Sequence, residues 1–248
     1  MKPILRLAIL ALAGACTTPP TPLTSTSRGV LPASATQAAR STTAAAPRAL
    51  ASEAAEGAPS VPFESRPVAL GQPAPDFTLK DTAGREVELA SFQGKIVVLE
   101  WYSTTCPYSV FAHDQGPLRD LPDEVGRKGG VWLSISSKLP NERGGTAQEQ
   151  EEFARRYGLR APLLVDAEQT VARAYEAKTT PHLFVINAKG VLVYRGALDN
   201  APLGRVKDGE LRTNYIHEAL NELRSGVALT RNESEPYGCA IKLARPLR

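Results

Sequence analysis

Four consecutive aliphatic residues, Ile96-Val97-Val98-Leu99, lead through Glu100, Trp101 and Tyr102 to Cys106-Pro107, and this short stretch limits the folds open to the chain. A β-branched run without alternation is what a strand buried on both faces of a parallel sheet requires. Pro107 suits the first position of a helix, where its missing N–H leaves nothing unpaired. Cys106 then stands at the helix cap, where free N–H groups and the positive end of the helix dipole favour thiolate over thiol. The spacing predicts a strand that hands a nucleophilic cysteine to a helix. The alternative is a cysteine packed as a small hydrophobe.

The 248 residues carry a net charge of +3, with lysine and arginine scattered along the chain, which excludes a nucleic-acid footprint. Three cysteines, Cys16, Cys106 and Cys239, are too few and too far apart for a zinc cluster or a disulfide scaffold. The histidines, His113, His182 and His217, lack metal-ligand spacing and read as surface or packing residues; no cofactor is expected. Residues 1–15 combine Lys2 and Arg6, an apolar core from Leu7 to Leu12 and Ala13-Gly14-Ala15 before Cys16. That is an export signal, since the apolar run is too short to cross a bilayer. Leu-Ala-Gly-Ala-Cys is similar to a bacterial lipobox, with Ala13 where leucine is usual, and Ala13-Gly14-Ala15 also fits an ordinary signal peptidase site. Both cut before Cys16. The first places lipid on Cys16, a membrane anchor, and the folded part in the periplasm of a bacterial envelope.

Residues 16–66 are almost entirely Thr, Ser, Ala, Pro and Gly and cannot bury enough apolar surface to offset ordering entropy. A disordered tether is expected there, with the folded domain over 67–248. Within that domain Ala74–Leu79 and Arg85–Leu89 alternate like strands around a turn. After the segment at Cys106, Gly116-Pro117 interrupts the helix. Val131–Ile135 and Pro162–Val165 read as strands, Gln148–Tyr157 and Val171–Tyr175 as helices. Leu183–Ile186 and Val191–Tyr194 form a hairpin across Asn187–Gly190. Leu211–Leu223 closes the chain as a helix with Leu211, Tyr215, Leu220 and Leu223 apolar. Parallel βαβ units followed by a hairpin and a closing helix make an α/β domain with helices flanking a mixed sheet.

Four segments resemble the peroxiredoxin-like redoxins of the thioredoxin superfamily, the alkyl hydroperoxide reductase/thiol-specific antioxidant group. They are APDFTLKDTAGREVEL (74–89), EWYSTTCPYS (100–109), TTPHLFVINAKGVLVYRGALD (179–199) and YGCAIK (237–242). The resemblance covers nearly all of residues 67–243 and implies a thioredoxin-like fold with antioxidant or thiol-disulfide oxidoreductase activity. It makes Pro181 the cis-proline facing the thiol, with Thr180 binding substrate through its backbone and Pro107 and Tyr108 beside the thiol. Cys106 matches the attacking cysteine of thioredoxin C-x-x-C motifs, but Ser109 stands where the resolving cysteine belongs. Peroxiredoxin signatures carry a proline upstream that is missing here, and Arg195 could serve as their activating arginine only if the fold brought it close.

Glu100, six residues before Cys106, matches a buried thioredoxin aspartate. In an apolar strand its pKa should rise, so that it exchanges protons during catalysis; the alternative is a carboxylate that reaches solvent at the strand's end. With Cys16 lipidated, Cys106 and Cys239 are the remaining thiols in an oxidising compartment, which suggests that Cys239 resolves Cys106. Cys239 as a core residue is the other possibility. Trp101, Tyr102 and Tyr108 could form an apolar platform for a partner. The expected function is envelope thiol-disulfide exchange through Cys106, with a thiol or disulfide protein, or a peroxide, as partner. The alternatives are a thiol peroxidase, and a non-catalytic module binding a partner or, through Cys106 and His182, copper.

Overall fold

A computed structural model describes residues 68–244. The export signal, Cys16 and the tether expected over residues 1–66 lie outside the described residues. The central sheet contains seven strands: β1 (Thr78–Asp81), β2 (Glu86–Glu88), β3 (Val97–Trp101), β4 (Val131–Ser136), β5 (Leu163–Val165), β7 (His182–Ile186) and β8 (Leu192–Gly196). Their order is β2-β1-β5-β4-β3-β7-β8. The inner pairs β3·β4 and β4·β5 are parallel, whereas β1, β2, β7 and β8 add antiparallel on either side. A second, two-stranded sheet pairs β6 (Thr179–Thr180) with β9 (Cys239–Ala240).

β3 is the middle of this arrangement, and its lack of alternation follows from burial on both faces. Val97, Leu99 and Trp101 join Leu133, Ile135, Phe184 and Tyr175 in one core cluster. Val98 joins a second cluster with Trp132, Leu183 and Val185 of the sheet. Helices α1 (Pro107–Asp114), α2 (Leu121–Arg127) and α5 (Tyr215–Arg224) cover that second face through Ala112, Leu121, Val125, Ile216 and Leu220. Leu99 is fully buried, so truncation to alanine should cost about 2–5 kcal/mol. Helix α3 (Ala147–Tyr157) begins with a capping box between Thr146 and Glu149 and ends at Gly158 in the left-handed conformation, φ 69°. Helix α4 (Thr170–Ala174) is short; Asp166 accepts from the Val171 and Ala172 amides at its start.

Two expected starts move by four residues each. The first strand begins at Thr78, because Pro73 and Pro75 have no N–H to place in a ladder; Pro73 makes only an isolated bridge to Val191. The last helix begins at Tyr215, with Asn214 as its cap accepting from the His217 amide at 2.9 Å. Leu211 therefore lies outside the helix and is 86% exposed. A capping side chain decided this start against an apolar pattern.

Candidate functional site

The C-terminal end of β3 delivers the chain to Cys106, the N-cap residue of α1, with Pro107 at the first helical position. Cys106 is only 2% exposed. Its thiol donates to the Thr180 carbonyl at 2.9 Å. Thr180 precedes Pro181 across a cis peptide bond, and the following strand β7 pairs antiparallel with β3. Burial pushes the Cys106 pKa up, but donors to the sulfur outweigh it. The Cys239 thiol, the Thr180 hydroxyl and the Ser109 and Cys239 backbones bring it below the ordinary thiol value. Ser109, at the position of the resolving cysteine in a C-x-x-C motif, is buried, and its hydroxyl accepts from the Ser103 amide at 3.3 Å.

Cys239 lies 133 positions away by number, yet the register of β6·β9 sets it directly opposite Thr180, whose carbonyl accepts from the Cys106 thiol. The two are free thiols. Burial, followed by the hydrogen bond and the charge of Cys106, pushes Cys239 up to about 11, against a smaller opposing effect of Lys138. The two sulfurs are thus driven in opposite directions, as expected when two titrating groups share a proton. Both line a cavity of about 230 Å³ with Tyr102, Ser137, Lys138, Glu142, Thr180 and the segment Ala240–Lys242. Pro107 and Tyr108 do not line it; Pro107 is exposed and Tyr108 packs against Tyr237 at 5.9 Å between ring centroids.

Glu100 departs from expectation. It is fully buried under α1, and burial does push its pKa up, but its partners outweigh that and hold it below the usual carboxylate value. His113 Nε2–H donates to Oε1 at 2.7 Å, while Trp132 Nε1–H and the Ser134 hydroxyl donate to Oε2 at 3.0 and 2.9 Å. The run of apolar neighbours hid these donors, which come from α1 and β4. Glu100 neither reaches solvent nor lines the thiol cavity. It ties β3 and β4 to the helix that Cys106 caps. His113, read as an ordinary residue from sequence, is the residue missed; its place seven positions after Cys106 on the helix, facing the sheet, was the available signal.

Arg195 is not brought to the thiol. It bonds Glu233 at 2.7 Å and the Val68 carbonyl at 3.2 Å, and with His182 it lines a separate cavity. His182 is buried and held neutral, its pKa pushed down to about 3 by burial and then by Lys178 and Arg195; its Nδ1 accepts from the Lys178 amide at 3.1 Å. Among the described residues no group of three His, Cys, Asp or Glu side chains could hold a metal ion. The aromatic platform also dissolves: Trp101 is a core residue whose indole N–H donates to Ser137, and the Tyr102 hydroxyl donates to Gln150 inside the protein.

The AhpC/TSA family profile matches residues 70–195, from before β1 into β8. The chain belongs to the AhpC/TSA family. It is similar to the thiol-disulfide oxidoreductase ResA of Geobacillus thermodenitrificans, 32% identical over 127 residues, 51% of this chain and 68% of that protein. It is also similar to peroxiredoxin-2 of Cricetulus griseus, 30% identical over 176 residues, 62% of this chain and 81% of that protein. A solved structure of a hypothetical protein from Sinorhizobium meliloti 1021 superposes with a TM-score of 0.64 at 27% identity, covering 73% of this chain and 98% of that one. An uncharacterized conserved protein from Geobacillus kaustophilus superposes equally, also at 27% identity, covering 73% and 94%. The fold is thioredoxin-like, and this AhpC/TSA chain is a thiol-dependent oxidoreductase. The family match ends before the segment that carries Cys239.

Proposed function

We propose that the protein catalyses thiol-disulfide exchange with Cys106 as nucleophile and Cys239 as resolving cysteine. The observation that carries this reading is one cavity holding both thiols with their pKa values displaced in opposite directions. The Cys106 thiolate attacks a substrate disulfide, forming a mixed disulfide and expelling one substrate sulfur as thiolate. Cys106 is then uncharged, so its hydrogen bond and charge no longer hold the proton on Cys239. Burial alone still opposes ionisation there, and Lys138 still favours it. Cys239 loses its proton and attacks the Cys106 sulfur, releasing the second substrate thiolate and closing a Cys106–Cys239 disulfide. A dithiol partner reduces that bond and resets the site.

Glu100 serves as a positioning residue for α1 rather than as the proton donor. Peroxide is the second oxidant, favoured by the similarity to peroxiredoxin-2; attack on the O–O bond would leave Cys106 as sulfenic acid, which Cys239 condenses with to the same disulfide and water. The leader ending at Ala15 supports export, and Cys16 supports lipid attachment to an envelope membrane; labelling with radioactive palmitate tests the latter, and an unlabelled mature protein would reject it.

Mild oxidation with diamide followed by non-reducing peptide mapping tests the pair. A linked Cys106/Cys239 peptide is expected, together with loss of multiple turnover in Cys239→Ser. No linked peptide, with full turnover in that variant, rejects Cys239 as the resolving residue. Peroxide consumption driven by a dithiol measures the second activity on the same preparation.

A further inference from the structure

A strand with free backbone groups beside a reactive thiol is a ready edge on which a polypeptide substrate could add as a further strand. In this protein the edge of β6 is taken. Residues Cys239–Ala240 pair antiparallel with Thr179–Thr180, so that a cysteine of the chain itself stands opposite Thr180 beside Cys106. The tail is fastened at several further points. Tyr237 donates to Asp199 at 2.5 Å, the Ile241 amide to the Lys178 carbonyl at 2.8 Å, and Gln169 Nε2 to the Lys242 carbonyl at 3.0 Å. The Ala244 amide returns a bond to Gln169 Oε1 at 2.7 Å. Gly238 is required for this docking. Its φ of +129° disfavours other residues, and a Cβ there would lie well inside contact distance of the Thr180 carbonyl.

We infer that the C-terminal tail is a built-in occupant of the peptide edge, and that the oxidised substrate attacked by Cys106 is a low-mass disulfide rather than an extended polypeptide. This rests on the reading of Cys106 as nucleophile. What stays open beside the docked tail is the 230 Å³ cavity reaching both thiols, below the usual span of about 300–1,000 Å³ for drug-sized ligand sites. Lys138 and Lys242 line it against one carboxylate, Glu142, and neither lysine forms a salt bridge among the described residues, so the net positive lining makes 3,3′-dithiodipropionate a suitable small probe.

The test reads only the first attack, using full-length Cys239→Ser protein and mass spectrometry of the Cys106 adduct. The probes are 3,3′-dithiodipropionate and the symmetric disulfide of an eight-residue extended peptide with a central cysteine. The small disulfide should form its adduct at least tenfold faster. Adding Gly238→Val, which unseats the tail, should lower that ratio at least fivefold by admitting the peptide. Gln169→Leu, which frees the far end of the tail, should lower it in the same direction and covers the case in which Gly238→Val does not fold. Equal rates with both probes before the tail is disturbed, or a ratio that neither folded variant changes, overturn the inference while leaving Cys106 as nucleophile. A Cys106 inert to both probes overturns the nucleophile reading as well.

Discussion

Replacing Glu100 with leucine should destabilise the protein strongly while leaving its backbone scaffold intact. The substitution removes the acceptor shared by the His113 imidazole, the Trp132 indole and the Ser134 hydroxyl, all bonded at 2.7–3.0 Å. A buried donor left unpaired costs about 1–3 kcal/mol, and the substitution leaves three of them. The better apolar fit of leucine offsets part of this, so about 3–5 kcal/mol is expected at pH 7. With a urea m-value of about 2 kcal/mol/M, the midpoint should fall by roughly 2 M, with both proteins kept reduced. The loss should also depend on pH. Glu100 has a folded pKa below the ordinary glutamate value, so its contribution is fully present above that ordinary value and disappears as pH falls through the folded one. The gap between wild type and variant should therefore narrow in acid. A loss under about 1 kcal/mol at pH 7, or a gap that does not change with pH, would refute the assignment of Glu100 as an ionised anchor.

Cys239→Ala should raise the Cys106 pKa, because the Cys239 thiol is the strongest of the contacts lowering it; the pH profile of iodoacetamide alkylation at Cys106 measures this, and an unmoved profile would contradict the shared proton. Thr146→Ala should cost about 1 kcal/mol by removing the capping box of α3, read from the urea midpoint. Leu211→Ser should lie within about 0.5 kcal/mol of wild type, since that side chain faces solvent; a larger loss would return Leu211 to the core.

Much of the scaffold was legible in sequence because it depends on short-range pattern. The run Ile96–Leu99 announced a strand buried on both faces, and Pro107 a helix start. The errors arose where one or two residues overrode the pattern. Asn214 capped a helix that Leu211 was expected to begin, and the prolines before β1 delayed a strand. At the site, Cys106 could be placed by its neighbours alone, whereas the environment of Glu100 could not. Its apolar flanks predicted a raised pKa; three donors from distant segments reversed the sign.

The sequence by itself determined that Cys106 caps a helix at the end of a strand, since a strand end, a proline and a helix cap are local features that adjoin it in the chain. Only the tertiary structure decided its companions. The β6·β9 register set Cys239 opposite Thr180, the pairing of β3 with β4 set Ser134 beside Glu100, and salt bridges held Arg195 elsewhere. Proton affinity in a buried site depends on what lies within a few ångströms in space, and separation along the chain carries almost none of that information.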